Sequence, residues 1–575
     1  MTSVHLTKLL RYAKTVSASA LNAATVRARK EHIPLEQALL ASGTVSEEEL
    51  YREIARLLGI PFVEMTQQVL NKDVLFIIPE PIASGHKMIP FEKTANAVLV
   101  ATTEPEDLQT IEFIRRKTGL AVKIFLTTPT GIAAALKSYR RSLTAEFEDL
   151  AVRPTKKTPI ETEKDLKQLA ENIPIVRIVD SLLEHAMYEN ASDIHIEPEE
   201  KEVTVRYRID GVLRPMMTLP KPAQDGIIAR IKILANLKLD EHRLPQDGRF
   251  TIETPEFKFA IRVSILPVYD GEKIVMRLLS ETAKALTLEA LGLPPGPRTL
   301  LEQSIQKPHG ILYVTGPTGS GKTTTLYSLL ALVNTPGVNV ITVEDPIEYR
   351  MQGVNQSQIN PRIGYTFANG LRSILRQDPN VIMVGEIRDT ETAEIAANAA
   401  LTGHLVISTL HTNDAVGALS RLEDFGIAPF LIAYTTNAII AQRLVRKICK
   451  ECTAPYPVSP TELDELRSRG VTDGLLRDLV KEKLLPKSTA LSGLTLSKGA
   501  GCRSCGNEGY RGRVGIYEAL AITPDLGALI ARHAPAEEIR AHAAAHGMRT
   551  MFHDGLVKAV SGITTLAEVF RVTKD

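Results

Sequence analysis

The run Ile311-Leu-Tyr-Val-Thr315 passes straight into Gly316-Pro-Thr-Gly-Ser-Gly-Lys-Thr323, and Thr324 to Leu332 continues with helical character. The middle stretch fits G-x-x-x-x-G-K-[ST] at every fixed position, and strand, glycine loop and helix in that order are the context the motif requires. Gly316, Gly319 and Gly321 let backbone N–H groups turn inward around phosphate oxygens at a helix N-terminus. Lys322 sets a positive charge against β- and γ-phosphates, and the Thr323 hydroxyl is a candidate Mg²⁺ ligand. Pro317, Thr318, Ser320 and Thr324 complete the candidate nucleotide-binding set. The stretch points to an ATP-using α/β core.

Downstream, three more apolar runs end in polar residues. Val338 to Val343 leads into Glu344-Asp-Pro-Ile-Glu348, where Pro346 stops the strand and leaves acids at its edge. Such acids orient water or hold magnesium in a P-loop core; the plain alternative is a solvated acidic turn. Val381 to Val384 runs into Gly385-Glu-Ile-Arg-Asp389, the Walker B pattern, with Glu386 an outer partner of magnesium. Leu405 to Thr409 is preceded by His404 and followed by Leu410 and His411. A lone histidine is more often structural, but two flanking one buried strand beside a phosphate site suggest sensing.

Working outward, 575 residues exceed one ordinary core, so several domains are expected. A hydrophobic fraction of 44% and a charged fraction of 23% describe a globular chain. A net charge of +1 gives no global pull toward nucleic acid or an anionic membrane. No apolar run approaches the roughly 18 residues of a membrane span. Lys8, Arg11 and Lys14 precede no apolar stretch, so no secretory signal is expected. The reading is a cytoplasmic protein whose membrane contact is peripheral.

Four segments are expected. Residues 1–143 form an N-terminal docking domain, helical and then α/β, with a capping box at Ser46 and Glu49 and strands at Ala97–Thr102 and Ala121–Leu126. Residues 144–172, charged and poor in apolar side chains, form a linker. Residues 173–288 are a second α/β domain, with Asp210-Gly211 turning between strands. The core occupies 289–575 and carries an insertion at 449–505. That insertion opens with Cys449 and Cys452 and closes with Cys502 and Cys505. Two C-x-x-C pairs supply enough thiolates for one tetrahedral, structural Zn²⁺, although the interval between them exceeds the usual ribbon spacing. Reduced thiols or a redox pair are the other readings.

Taken together, these blocks resemble the type II secretion and type IV pilus assembly ATPase family in order and spacing. The match rests on the glycine loop, Glu344 to Glu348, Gly385 to Asp389, and Leu401 to Asn413. Upstream, Ala191 to Pro198, Arg206 to Val212 and Arg243-Leu-Pro-Gln-Asp-Gly-Arg249 are similar to that family's preceding domain. The resemblance implies a RecA-like motor core behind a PAS-like domain, assembled as a homo-hexamer. It implies that Arg243, Arg249 and Arg262 reach the γ-phosphate and that one acidic-box glutamate polarises water, Glu344 being favoured over Glu348. His404 and His411 would sense nucleotide or couple subunits. It also implies an inner-membrane platform protein as partner, and a zinc-bearing insertion of the assembly motors. Some members bind cyclic di-GMP through an Arg-Leu-Gly entry; here Ile33-Pro34-Leu35 stands instead, which counts against that ligand. A nucleic-acid motor is the alternative, opposed by the neutral charge and by the lack of an aromatic-basic stripe.

Overall fold

The computed structural model describes residues 17–31, 35–43, 45–68, 70–137, 163–253, 258–280, 285–481, 491–502 and 505–574. The chain divides into two compact units, Met1–Leu279 and Ser280–Asp575.

The first unit opens with helices Ala18–Glu31, Leu35–Leu40 and Glu47–Leu58. The last begins at the expected capping box: Glu49 N–H donates to Ser46 Oγ and Ser46 N–H to the Glu49 carboxylate. Its stripe of Leu50, Ile54 and Ala55 meets Leu21, Leu35 and Leu39 in a closed core. Three strands follow, β1 (Met88–Lys93), β2 (Ala97–Thr102) and β3 (Ala121–Leu126), in the order β1-β2-β3. The parallel β2–β3 pair is joined through the helix Leu108–Thr118, as parallel strands require a crossover.

The next part of this unit is a six-stranded antiparallel sheet under two helices. Its strands are β4 (Asp193–Pro198), β5 (Glu202–Ile209), β6 (Val212–Pro220), β7 (Gln246–Glu253), β8 (Lys258–Val268) and β9 (Gly271–Ser280). Their spatial order is β6-β5-β4-β9-β8-β7. Along β5, Val203, Val205, Tyr207 and Ile209 are buried while their neighbours are not, the period-2 pattern of a sheet with one covered face. Covering it are Ile173–Tyr188, through Ile175, Val179, Leu182 and Leu183, and Gln224–Leu234, through Ile227 and Ile231. Asp210 and Gly211 both take positive φ (50° and 85°) in the β5–β6 turn. Within the segment 144–172 read as a linker, residues Glu163–Ala170 form a helix that packs Leu166 and Ala170 on Ala229.

The second unit is built on a seven-stranded sheet. Its strands are β10 (Gly310–Thr315), β11 (Val340–Glu344), β12 (Val354–Gln358), β13 (Val381–Val384), β14 (Leu405–Leu410), β15 (Thr436–Ile448) and β18 (Tyr510–Ala521). The order is β12-β11-β13-β14-β10-β15-β18, parallel except for β18. Every residue of β10 is buried, because both faces are covered. Ile311 and Tyr313 enter one core, with Val343, Ile382 and Val406; Leu312 and Val314 enter the other, with Leu326, Leu330 and Ile407. The insertion holds a two-stranded ribbon, β16 (Thr453–Pro457) and β17 (Thr495–Gly499). Its helices pack Leu466, Leu476 and Leu479 against Leu556, Leu566 and Phe570 of the C-terminal helices. Among the described residues no helix is long and apolar enough to cross a membrane.

Candidate functional site

β10 delivers the chain to Gly316 at the carboxyl edge of the sheet, and the helix Lys322–Val333 leaves from Gly321. Gly316 has φ 148° and stands so close to β15 that a Cβ would lie 2.5 Å from the Gln442 carbonyl oxygen and 2.6 Å from Ser320 Oγ. Gly321, at φ 89°, caps the helix in a left-handed conformation that frees the first N–H groups to point outward. Lys322 Nζ lies over the loop, 2.8 Å from the Gly316 carbonyl and 3.1 Å from that of Pro317. Burial pushes its pKa down, Glu386 opposes that, and Arg443 reinforces it. Thr323 follows in the first helical turn, half-buried beside it.

Gln442 is the residue that sequence reasoning missed. It is buried on β15, donates from Nε2 to the Ser320 carbonyl (2.8 Å), and accepts from Thr325 Oγ1 (2.8 Å). The loop is therefore gripped from the neighbouring strand as well as by its own helix. The available signal was weak, a glutamine that closes the apolar run Ala438-Ile-Ile-Ala441 just before Arg443.

The two acids of the 344–348 box have different surroundings. Glu344 ends β11 at 2% exposure, and its carboxylate accepts from Tyr327 Oη, from Thr342 Oγ1 (2.5 Å) and from Gln356 Nε2 (3.2 Å). Burial raises its pKa against those three hydrogen bonds. Its oxygens are thus committed beneath the helix that follows the loop. Glu348 is half-buried, and its N–H donates to the same Tyr327 Oη at 3.2 Å. The Asp345–Pro346 peptide is cis.

Glu386 stands just past β13. Its carboxylate pairs with Arg388 and, at 2.8 Å, with His411 Nε2. Burial works to raise its pKa, but those two partners hold it below the ordinary carboxylate range. Ser408 and Thr409 of β14 fasten this turn by donating to the carbonyls of Val384 and Gly385 at 2.8 and 2.7 Å. His411 is therefore brought to the edge that carries Lys322 and Glu386. His404 is not. It flanks β14 as expected, but at the opposite edge, where its Nδ1 lies 2.9 Å from the Ala399 carbonyl and its own carbonyl accepts from Gly310 N–H. Seven residue steps at ~3.3 Å each, across the six residues of β14, separate the two histidines by about 23 Å.

Arg249 and Arg262 face one another directly across the β7–β8 pair, and Arg243 lies exposed in the loop before β7. Gly248 lets β7 pass close to the preceding helix end, since a Cβ there would lie 2.6 Å from the Ala235 carbonyl.

The four cysteines converge. Their sulfurs all lie within 4.8 Å of one another, with Cys449–Cys502 at 3.7 Å and Cys452–Cys505 at 3.8 Å. Sulfurs around a tetrahedral Zn²⁺ at ~2.3 Å are about 3.8 Å apart, so the donor set and its spacing fit zinc. The ribbon explains the long interval in sequence: Thr453 pairs with Gly499, and Ala500 N–H donates to the Cys452 carbonyl. Burial works to raise the Cys505 thiol, but N–H groups of Cys502 and Gly509 at 3.2 Å, together with the neighbouring Cys502 and Cys452 thiols, hold it below its ordinary value. A sulfur that already accepts two N–H groups is predisposed to the thiolate that metal binding needs.

Comparison with known proteins shows the family. A family model described as Type II/IV secretion system protein matches residues 168–571, and an MshEN domain matches 58–146. The chain is 37% identical to the Type IV pilus assembly ATPase PilB of Myxococcus xanthus, covering 99% of this chain and 98% of that one. It is 46% identical to Type II secretion system protein E of Pseudomonas aeruginosa, over 72% of this chain and 78% of that one. The solved structure of the Yersinia pseudotuberculosis ATPase DotB shares the fold at 24% identity, with a TM-score of 0.50 over 69% of this chain and 93% of that one. The expectation against cyclic di-GMP gains no support from the MshEN match, and two of its three residues, Ile33 and Pro34, lie outside the described residues. With its mixed α/β architecture and RecA-like motor core, the chain belongs to the Type II/IV secretion system protein family.

Proposed function

We propose that this chain is a hexameric ATPase that powers addition of pilin-like subunits to a type IV pilus or a type II secretion pseudopilus. It works at the cytoplasmic face of the inner membrane, through a platform protein. The observation that carries the reading is the convergence of Lys322, Glu386 and His411 on one sheet edge, around a glycine loop that Gln442 holds from the side. Relatives named as pilus assembly ATPase and type II secretion protein E support the process.

In the mechanism, the loop N–H groups and Lys322 bind the β- and γ-phosphates, and Thr323 with Glu386 would hold Mg²⁺. Mg²⁺ bound there would neutralise charge developing on the phosphates. Glu348 takes the place first given to Glu344 as the group that orients water, because the Glu344 carboxylate is enclosed by Tyr327, Thr342 and Gln356. His411, through its bond to Glu386, reports on the state of the site. His404, one strand length away, serves contact between subunits. Arg243, Arg249 and Arg262 supply positive charge to the γ-phosphate. The four cysteines would hold a structural Zn²⁺; four thiolates leave no open position for a reacting water.

Nucleic-acid translocation gains no support from the relatives. The test is turnover with full-length protein, with and without vesicles bearing the platform protein, and with DNA. Stimulation by the platform vesicles and none by DNA supports the reading; the reverse overturns it.

A further inference from the structure

We infer that the buried pair Lys232–Glu272 positions the arginine-bearing loop 237–246, and so acts on ATP turnover through Arg243 without touching nucleotide. This rests on the proposed role of Arg243 at the γ-phosphate.

Lys232 is fully buried (0% exposed) on the helix Gln224–Leu234, and Glu272 is 5% exposed at the start of β9. Lys232 Nζ lies 2.8 and 3.0 Å from the two carboxylate oxygens. Removing two charges from water carries a large desolvation penalty, and an apolar pair of the same volume is often as stable. Stability alone therefore gives weak grounds for the pair, and its remaining bonds show where it leads. Lys232 Nζ donates to the Glu241 carbonyl at 2.7 Å, and Glu272 Oε2 holds His242 Nδ1 at 2.7 Å.

From there the chain of contacts reaches Arg243 directly. Glu241 Oε1 accepts from the N–H of Arg243 (2.7 Å) and of Leu244 (3.1 Å). Gln246 closes the loop: its Oε1 accepts from Lys238 N–H, and its Nε2 donates to the carbonyls of Lys238 and Glu241, all within 2.9–3.0 Å. Leu244 is 61% exposed and Arg243 is exposed, so little apolar burial orders these residues. Leu239, 6% exposed, anchors the start of the loop, and polar bonds from Lys232, Glu272, Glu241 and Gln246 order the part that carries Arg243. A loop ordered before the phosphate arrives spares the entropy cost of ordering it at the transition state, which appears in kcat.

The experiment is a double-mutant cycle on the full-length protein. Lys232→Met with Glu272→Leu replaces the pair by apolar side chains; Gln246→Ala loosens the loop without leaving a buried charge. Both are combined with Arg243→Ala, and kcat, the KM for ATP and the melting temperature are measured. The expected result is a tenfold or greater fall in kcat, less than threefold change in KM, and little further loss when Arg243→Ala is added. If Arg243→Ala alone lowers kcat while Gln246→Ala and a folded Lys232→Met/Glu272→Leu protein keep it, the inference is wrong and the arginine reading stands. Losses that multiply with that of Arg243→Ala also overturn it. If Arg243→Ala leaves kcat unchanged, the arginine reading fails and this inference fails with it.

Discussion

Gln442 Nε2 donates to the Ser320 carbonyl at 2.8 Å, tying the phosphate loop to a strand that arrives more than a hundred residues later. The same amide accepts from Thr325 Oγ1, so loop and helix share one external clamp.

Gln442→Ala removes both bonds and leaves a buried carbonyl and hydroxyl unsatisfied, a loss of ~1–3 kcal/mol. The KM for ATP should rise by about tenfold or more, with a smaller change in kcat, measured in steady-state turnover. Gly316→Ala should be worse, because its Cβ would meet the backbone of Gln442 itself.

The acidic box makes a sharper distinction. Glu348→Gln should lower kcat by roughly 100-fold, within the range of a lost general base, while nucleotide binding persists. Glu344→Gln should act mainly on stability, since the carboxylate it alters accepts Tyr327, Thr342 and Gln356. Single-turnover hydrolysis and thermal melting of the two variants decide between them.

Zinc removal should loosen the insertion without altering the phosphate loop. Metal analysis should find about one zinc per chain, as one four-thiolate site requires. Cys502→Ser or a strong chelator should expose 449–505 to protease and lower the melting temperature. Full resistance to protease after complete zinc removal would refute the assignment.

Acid should release a specific contact. Glu568, 2% exposed, accepts from Arg446 (2.8 Å) and Arg571 (2.8 Å). Burial works to raise its pKa, but the two arginines hold it down, to about 2. A carboxylate depressed in the folded state contributes stability that is complete above its unfolded pKa near 4.5 and is lost as pH falls toward 2. Glu568→Gln should therefore lower the melting temperature at neutral pH and flatten its decline between pH 4.5 and 2.

Much of the core was legible because parallel strands buried on both faces read as unbroken apolar runs. Val381–Val384 was bounded to the residue for that reason, and Leu405–Leu410 to within one. β7 was not, since Gly248 and the polar residues around it leave no apolar run to mark a strand; the pairing with β8 makes it one. The ribbon was hidden by Pro455 and Pro457, which are tolerated in a two-stranded edge. The two histidines looked equivalent because sequence shows a strand's two ends alike, whereas only the carboxyl edge carries the phosphate loop. Gln442 needed the fold: its partners are far away along the chain.

ATP hydrolysis by the full-length protein and by Lys322→Ala, compared at saturating magnesium nucleotide, bears most directly on the central claim. Loss of that ammonium from the loop should reduce turnover by about 100-fold or more, in line with the ~2.7–4 kcal/mol that one removed transition-state charge partner costs. Equal rates for the two proteins would contradict the account.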